Sequence, residues 1–258
     1  IKPVILTKVR IYNKRPPLDA FLEFLNILKF SDMGWGDNLF YGLLATLEIA
    51  IGAYLLGTSI GFAGALGKIN GGPVTRFCLG TYTTLVRAVP ELVLILLLYY
   101  AGTALVNEVL MSLGYRPIDI SGLIAGIVVL GVVQGAYSTE VIRGALQAIP
   151  KGQLEAGRAF GMSRWTLFRR ITIPAMIPLA LPGMSNLWLI VTKDTALLAV
   201  VGFQELTLTT RVAAGTTRYY LEFFLIAAAI YLSVTLISNL CFKWLERRSS
   251  RGMTSLGH

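Results

Sequence analysis

Six ionisable side chains, Glu48, Arg87, Glu91, Glu140, Lys193 and Asp194, sit in stretches that are otherwise apolar. Burying a charge in such surroundings is costly, so each must either meet an opposite charge or face water. The chemistry open to them is recognition of charge. They could equally pair with one another to staple helices, or reach their charged tips out to water. Covalent catalysis would need a nucleophile beside a base, and no such pair is visible. The single histidine, His258, is the last residue, which leaves no ring for a triad, a zinc ligand set or a proton relay. Cys78 and Cys241 lie far apart in apolar surroundings and suggest neither a disulfide framework nor a metal site.

The elements that must hold these charges follow from hydropathy. The chain has 258 residues, of which 55% are hydrophobic and 14% charged, against about 25% charged in soluble domains. Five stretches are long and apolar enough to cross a bilayer as helices: Phe40 to Leu66, Phe77 to Leu105, Ile120 to Ile142, Leu181 to Phe203 and Tyr219 to Phe242. The expected fold is therefore an all-α integral membrane protein with five transmembrane helices. Pro90 should break or bend the second stretch. Small-residue spacings at Gly57/Gly61, Gly122/Gly126 and Gly131/Gly135 should let helices approach closely, with the third stretch buried among its neighbours. Tyr99-Tyr100 and Tyr219-Tyr220 read as interfacial belts rather than a ligand cage. If the fourth stretch enters near Pro182, Lys193 lies roughly 16 Å deep at about 1.5 Å per residue, close to the midplane, with Asp194 on a different face.

The net charge of +9 reflects basic residues gathered in loops on one side of a membrane, and no nucleic-acid partner is expected. Lys68 and Arg76 follow the first span, and Arg143, Lys151, Arg158, Arg164, Arg169 and Arg170 follow the third. Lys243, Arg247, Arg248 and Arg251 close the chain, whereas Arg211 and Arg218 after the fourth span are partly offset by Glu205. These counts place the C-terminus in the cytoplasm and, with five spans, the N-terminus on the outer side. The basic residues Lys2, Lys8, Arg10, Lys14, Arg15 and Lys29 run against that rule. The chain is thereby divided into a basic tail at 1–38, a transmembrane domain at 39–248 and a C-terminal tail at 249–258. In the first of these, Asp19 to Phe30 reads as a short interfacial helix, and the start at Ile1 rather than methionine leaves room for residues upstream.

The most polar interruption is the loop at 150–174, "PKGQLEAGRAFGMSRWTLFRRITIP". Pro150 suits a helix start, Gly161 a left-handed helix end and Ser163 the cap of a second short helix, with Pro174 restarting the chain into the bilayer. The spacing Glu155-Ala156-Gly157, three residues, Gly161, nine residues, Ile171-x-Ile173-Pro174 closely resembles the "EAA" loop of bacterial ABC importer permease subunits. Gly157 replaces the second alanine and Ile173 a leucine. The resemblance runs from Trp35 to Arg248. It narrows to the polar amino-acid importers, especially the histidine/lysine/arginine and opine (octopine/nopaline) permeases, through "RAVPELVLILLLYYAG", "GAYSTEVIRGALQAIPKGQLEAGRAFGMS" and "PAMIPLALPGMSN".

That resemblance implies the type I ABC importer permease fold in the bacterial inner membrane. It also implies a coupling helix, carried by Glu155, Ala156, Gly157, Arg158, Gly161 and Pro174, that docks on a cytoplasmic ABC ATPase dimer. ATP and magnesium would be bound by that partner, with no cofactor in this chain. The nearest approach to a P-loop, "GFAGALGKIN", lacks the required first glycine and has Ile69 where Ser or Thr belongs. Further implied partners are a second, related permease subunit, in a heterodimer rather than a homodimer, and a periplasmic substrate-binding protein. A basic amino acid or opine would then use Glu140 and Asp194 for its cationic end and Lys193 or Arg87 for its anionic end. An ion channel or membrane-embedded enzyme is the alternative, but neither a filter-like loop nor a nucleophile–base pair supports it.

Overall fold

A computed structural model describes residues 24–31, 34–118 and 121–249. Every regular element among them is helical: α1 (Gly36–Asn70), α2 (Pro73–Ala88), α3 (Glu91–Ser112), α4 (Gly122–Gln147), α5 (Lys151–Ala159), α6 (Arg164–Leu167), α7 (Ile173–Asp194), α8 (Leu206–Thr217) and α9 (Tyr220–Ser249). A π-helical turn (Phe168–Thr172) joins α6 to α7, and a 3-10 turn (Thr195–Val201) extends α7. Five segments are long and apolar enough to cross a membrane: α1, α3, α4, the run Arg164–Val201 and α9. The end of the bundle carrying 70–72 and 148–163 is called the loop end below, and the opposite end the far end.

Three of the expected spans differ from the observed ones by a few residues at their ends, and two differ in make-up. The stretch Phe77 to Leu105 is two helices, because Pro90 lacks an N–H and pushes Val89 out of helical geometry, leaving both in extended backbone between α2 and α3. The fourth span does not begin near Pro182. The helix runs through Pro174, Pro178 and Pro182, the π turn absorbing the mismatch ahead of Pro174. Prolines inside a membrane helix are tolerated where neighbours and local readjustment satisfy the freed carbonyls. Pro174 therefore does not restart the chain, and Lys193 stands about 30 Å along the axis from Ile173 rather than 16 Å from an entrance at Pro182.

The expectation for the glycine spacings holds at Gly57/Gly61 and Gly131/Gly135, while Gly122 meets the ring of Phe203 rather than a helix. α1 packs most extensively on α4, and a Cβ on Gly61 would lie 2.8 Å from the carbonyl carbon of Ser138 and 2.9 Å from the Thr139 nitrogen. Backbone cannot yield as a side-chain tip can, so glycine sets this separation. α4 is accordingly the most enclosed span, with 61% of its apolar window buried against 11% for α9. One core, at the loop end, gathers Ala65, Ile142, Ala145, Ile149, Met176 and Ala180. A second, towards the far end, gathers Ile49, Ile95, Val129, Leu130, Val191 and Leu198.

At the far end, wholly buried Glu205 caps α8 through the backbone N–H groups of Thr207 and Leu208, both at 2.8 Å. It also accepts from Thr46 of α1 at 3.4 Å and Tyr231 of α9 at 3.1 Å. Burial pushes its carboxyl above the usual carboxylate range, while those backbone donors pull it down. A residue that reads as a loop charge is thus a three-helix anchor. Of the interfacial helix expected at Asp19 to Phe30, residues 19–23 lie outside the described residues; 24–27 are helical, and Phe24 is buried against Tyr219 and Phe223. Phe24 is thus covered by protein, whereas Leu25 and Phe30 are exposed.

Candidate functional site

The loop at 150–174 folds as an elbow. α5 ends in a Schellman arrangement: Met162 N–H donates to the Gly157 carbonyl at 3.1 Å and Gly161 N–H to Arg158 at 2.9 Å, with Gly161 at φ +73°. Ser163 then caps α6, accepting from Thr166 N–H at 3.3 Å. Gly157 faces inward, where an added Cβ would lie 2.7 Å from Ile171 Cδ1 and closer still to Leu167. Leu154 and Ile173 pack against the loop-end core, so the elbow is rooted in the bundle. Glu155, Ala156, Arg158 and Pro174 are exposed, as are two large aromatics, Phe160 at 84% and Trp165 at 68%. A projecting apolar pair beside charged groups is the composition of a protein docking surface.

The intramembrane charges divide into three groups. Glu140 on α4 spends both oxygens on cations: Oε1 accepts from Lys68 Nζ at 2.5 Å, and Oε2 from Arg143 at 2.7 and 3.0 Å. Lys68 also donates to Thr83 on α2 at 2.6 Å, so α1, α2 and α4 are clasped near the loop end. This is the stapling alternative realised, and it leaves no free oxygen on Glu140 of the kind expected for a bound cation. Glu140→Gln strands Lys68 and Arg143. It should lower stability by about 1–3 kcal/mol, given the partial exposure of the pair, and slow any transport equally for all substrates. A thermal melt in detergent and a panel of uptake rates check this.

A second group lies one turn from the clasp. Tyr137, three residues before Glu140 on α4, donates its hydroxyl to Glu91 Oε1 at 3.2 Å, and the Arg87 guanidinium stands 5.9 Å from the centre of its ring. Asp194 is close enough for its charge to act on both Glu91 and Tyr137. The break at Pro90 makes this possible, because it ends α2 at Arg87's turn and starts α3 at Glu91. Arg87 and Glu91 thus meet at Tyr137, with Asp194 within electrostatic range, and Tyr137 is a residue that its sequence context does not single out. Lys193 is exposed, and its charge also acts on the neighbouring Asp194. Two carboxylates, one guanidinium and a phenol around one point can hold a molecule bearing charges of both signs.

Glu48 stands apart, on α1 towards the far end. It lines a cavity of about 540 Å³ with Tyr99, Phe203 and Gln204. Tyr99 faces this cavity and packs on Phe203, so it is no interfacial belt residue, whereas its neighbour Tyr100 is exposed.

Residues 39–251 match the family described as the binding-protein-dependent transport system inner membrane component. The chain is 41% identical over 220 residues to the histidine/lysine/arginine/ornithine transport system permease protein HisQ of Escherichia coli (strain K12), covering 85% of this chain and 96% of the relative. It is 36% identical over 233 residues to the octopine transport system permease protein OccQ of Rhizobium radiobacter, covering 90% of this chain and 98% of the relative. Among solved structures, a chain of an amino acid ABC transporter crystallised with histidines superposes with a TM-score of 0.72 at 31% identity, covering 87% of this chain and 98% of that one.

Proposed function

Because the chain belongs to the family of inner membrane components of binding-protein-dependent transport systems, and is a permease of the amino-acid and opine importers, we propose that it imports a basic amino acid or opine, driven by a separate ATPase dimer. The observation that carries the reading is the elbow at 150–174, rooted in the bundle through Leu154 and Ile173 while it presents Glu155, Arg158, Phe160 and Trp165 outward. A rigid elbow at the end of two spans converts displacement of its outer face into motion of α4 and α7. ATP and magnesium are the partner's, and this chain supplies the handle.

The loop end and the C-terminus are cytoplasmic in this reading and the far end periplasmic, in keeping with the basic residues of the elbow. A periplasmic binding protein delivers the substrate, and a related permease subunit completes the path in a heterodimer. Within the path, Glu91 and Asp194 take the ammonium or guanidinium end and Arg87 the carboxylate, with Tyr137 orienting Glu91. The named substrates of the HisQ and OccQ relatives, which carry both charges, support this assignment.

Co-purification from the native operon, with mass spectrometry of the bound subunits, tests the assembly. An ATPase, a second permease and, on crosslinking, a binding protein are expected. An uptake panel should then show arginine, lysine, histidine or octopine transported ahead of uncharged amino acids. A homogeneous complex of this chain without an ATPase would overturn the proposal.

A further inference from the structure

Glu48 lies twelve residues into the apolar 35-residue α1 and has neither a hydrogen bond nor an ion pair among the described residues. Among the described residues it is the one charged group lining the 540 Å³ cavity at the far end, a volume within the range of about 300–1,000 Å³ usual for small-molecule sites. A carboxylate in that position, unpaired and facing a cavity, raises the local affinity for a cation.

The cavity has a closed floor. Tyr99 and Phe203 meet edge to face, with ring centres 5.2 Å apart at 85°. Gly122 leaves room for the Phe203 ring, whose Cε1 would stand only 2.8 Å from a Cβ there. Beneath them Ile95, with no exposed surface, packs with Ile49 and Leu198. Tyr99, Ile95 and Glu91 fall four residues apart on one face of α3, about 12 Å from first to last. Two acidic stations, Glu48 above and Glu91 with Asp194 below, are therefore aligned along one helix and separated by an apolar plug.

We propose that the Glu48 cavity is an outer binding station for the cationic end of the transported molecule, and that Tyr99, Phe203 and Ile95 are the closed gate between it and the Glu91–Asp194 station. The proposal rests on the importer reading above, with the far end outward. The substrate leaves its binding protein, neutralises Glu48, and passes inward when α3 and the 201–204 turn separate. The acid above the plug lowers the cost of holding a cation in the bilayer while the gate is shut.

The test uses the complete transporter in liposomes, with Cys78→Ser and Cys241→Ser removing the native thiols and Ala45→Cys placing one in the cavity wall. A cationic methanethiosulfonate should modify that thiol about tenfold faster than a neutral one of equal size, the Coulomb advantage of one nearby charge in a partly wet site. Arginine should slow the cationic reagent, and Glu48→Gln should bring the two rates together. Glu48→Asp should restore the difference. Arginine uptake at saturating binding protein should fall severalfold in Glu48→Gln and recover in Glu48→Asp. A rate ratio unchanged by Glu48→Gln, no protection by arginine, or a thiol reactive in the isolated chain but sealed in the assembled complex would each overturn the proposal. Failure of the importer reading looks different: the unsubstituted transporter would then take up no basic amino acid, whatever the labelling rates.

Discussion

Gly157→Leu is expected to abolish ATP-driven uptake while leaving the chain inserted and the bundle folded. Gly157 is the buried position of α5, and an added Cβ already meets the Cδ1 atoms of Leu167 and Ile171. Both are ends of flexible side chains, so a single methyl can be absorbed. Gly157→Ala, which restores the wider EAA pattern and has the better helix former, should leave uptake within about twofold of the parent, the scale of a well-tolerated small change. A leucine cannot be absorbed, and α5 must lift off α6 and the π turn, changing the elbow angle. Overpacking of this kind costs about 1–3 kcal/mol, and because it falls on the joint proposed to bear force, the expected loss is of coupling. Gly161→Val should act alike for a different reason: its surroundings are open, but φ is +73°, a conformation a β-branched residue holds only under strain. The readouts are uptake in proteoliposomes, retention of the ATPase on size exclusion, and insertion as the control. Undiminished uptake in both Gly157→Leu and Gly161→Val would remove the elbow from the mechanism.

Asp194→Asn carries the second large effect, on substrate choice. Asp194 is half-buried and near a second carboxylate, Glu91, so a cation placed between them is held by two charges and relieves their mutual repulsion. Removing one partner of a desolvated charge contact costs about 2–5 kcal/mol, which sets the expected fall in arginine uptake at roughly thirtyfold or more. Glu91→Gln should behave similarly. The double substitution should cost less than the sum, because both carboxylates act on one cation. An uncharged amino acid carried by the same transporter should be affected far less. Equal losses for charged and uncharged substrates would make Asp194 a structural residue and move the site elsewhere.

The features legible in the sequence are those that depend on near neighbours in the chain. Five apolar runs, the break at Pro90, the left-handed turn at Gly161 and the Ser163 cap each follow from a few adjacent residues, and the structure has all of them. The proline-rich start of α7 was not legible, because a soluble-helix rule treats Pro174, Pro178 and Pro182 as stops, whereas a π turn and packed neighbours carry the helix through them. Pairings across large separations were hidden too. Arg143 could be matched to Glu140 by its i+3 spacing, but nothing in the sequence ties Lys68 to Glu140 or Thr46 to Glu205. Tyr137 escaped notice because an aromatic residue in a glycine-rich buried helix reads as core. Only the approach of α3 reveals that its hydroxyl serves Glu91.

In the function proposed above, this chain is the passive, force-receiving half of an ATP-driven importer. The most direct test of that role is arginine uptake into proteoliposomes holding this chain and its partner permease, with and without the operon's ATPase and with loaded binding protein outside. Uptake is expected only when the ATPase and ATP are both present, with no ATP hydrolysis by the purified chain alone. Arginine flux down its gradient without the ATPase, or hydrolysis by the isolated chain, would contradict that role.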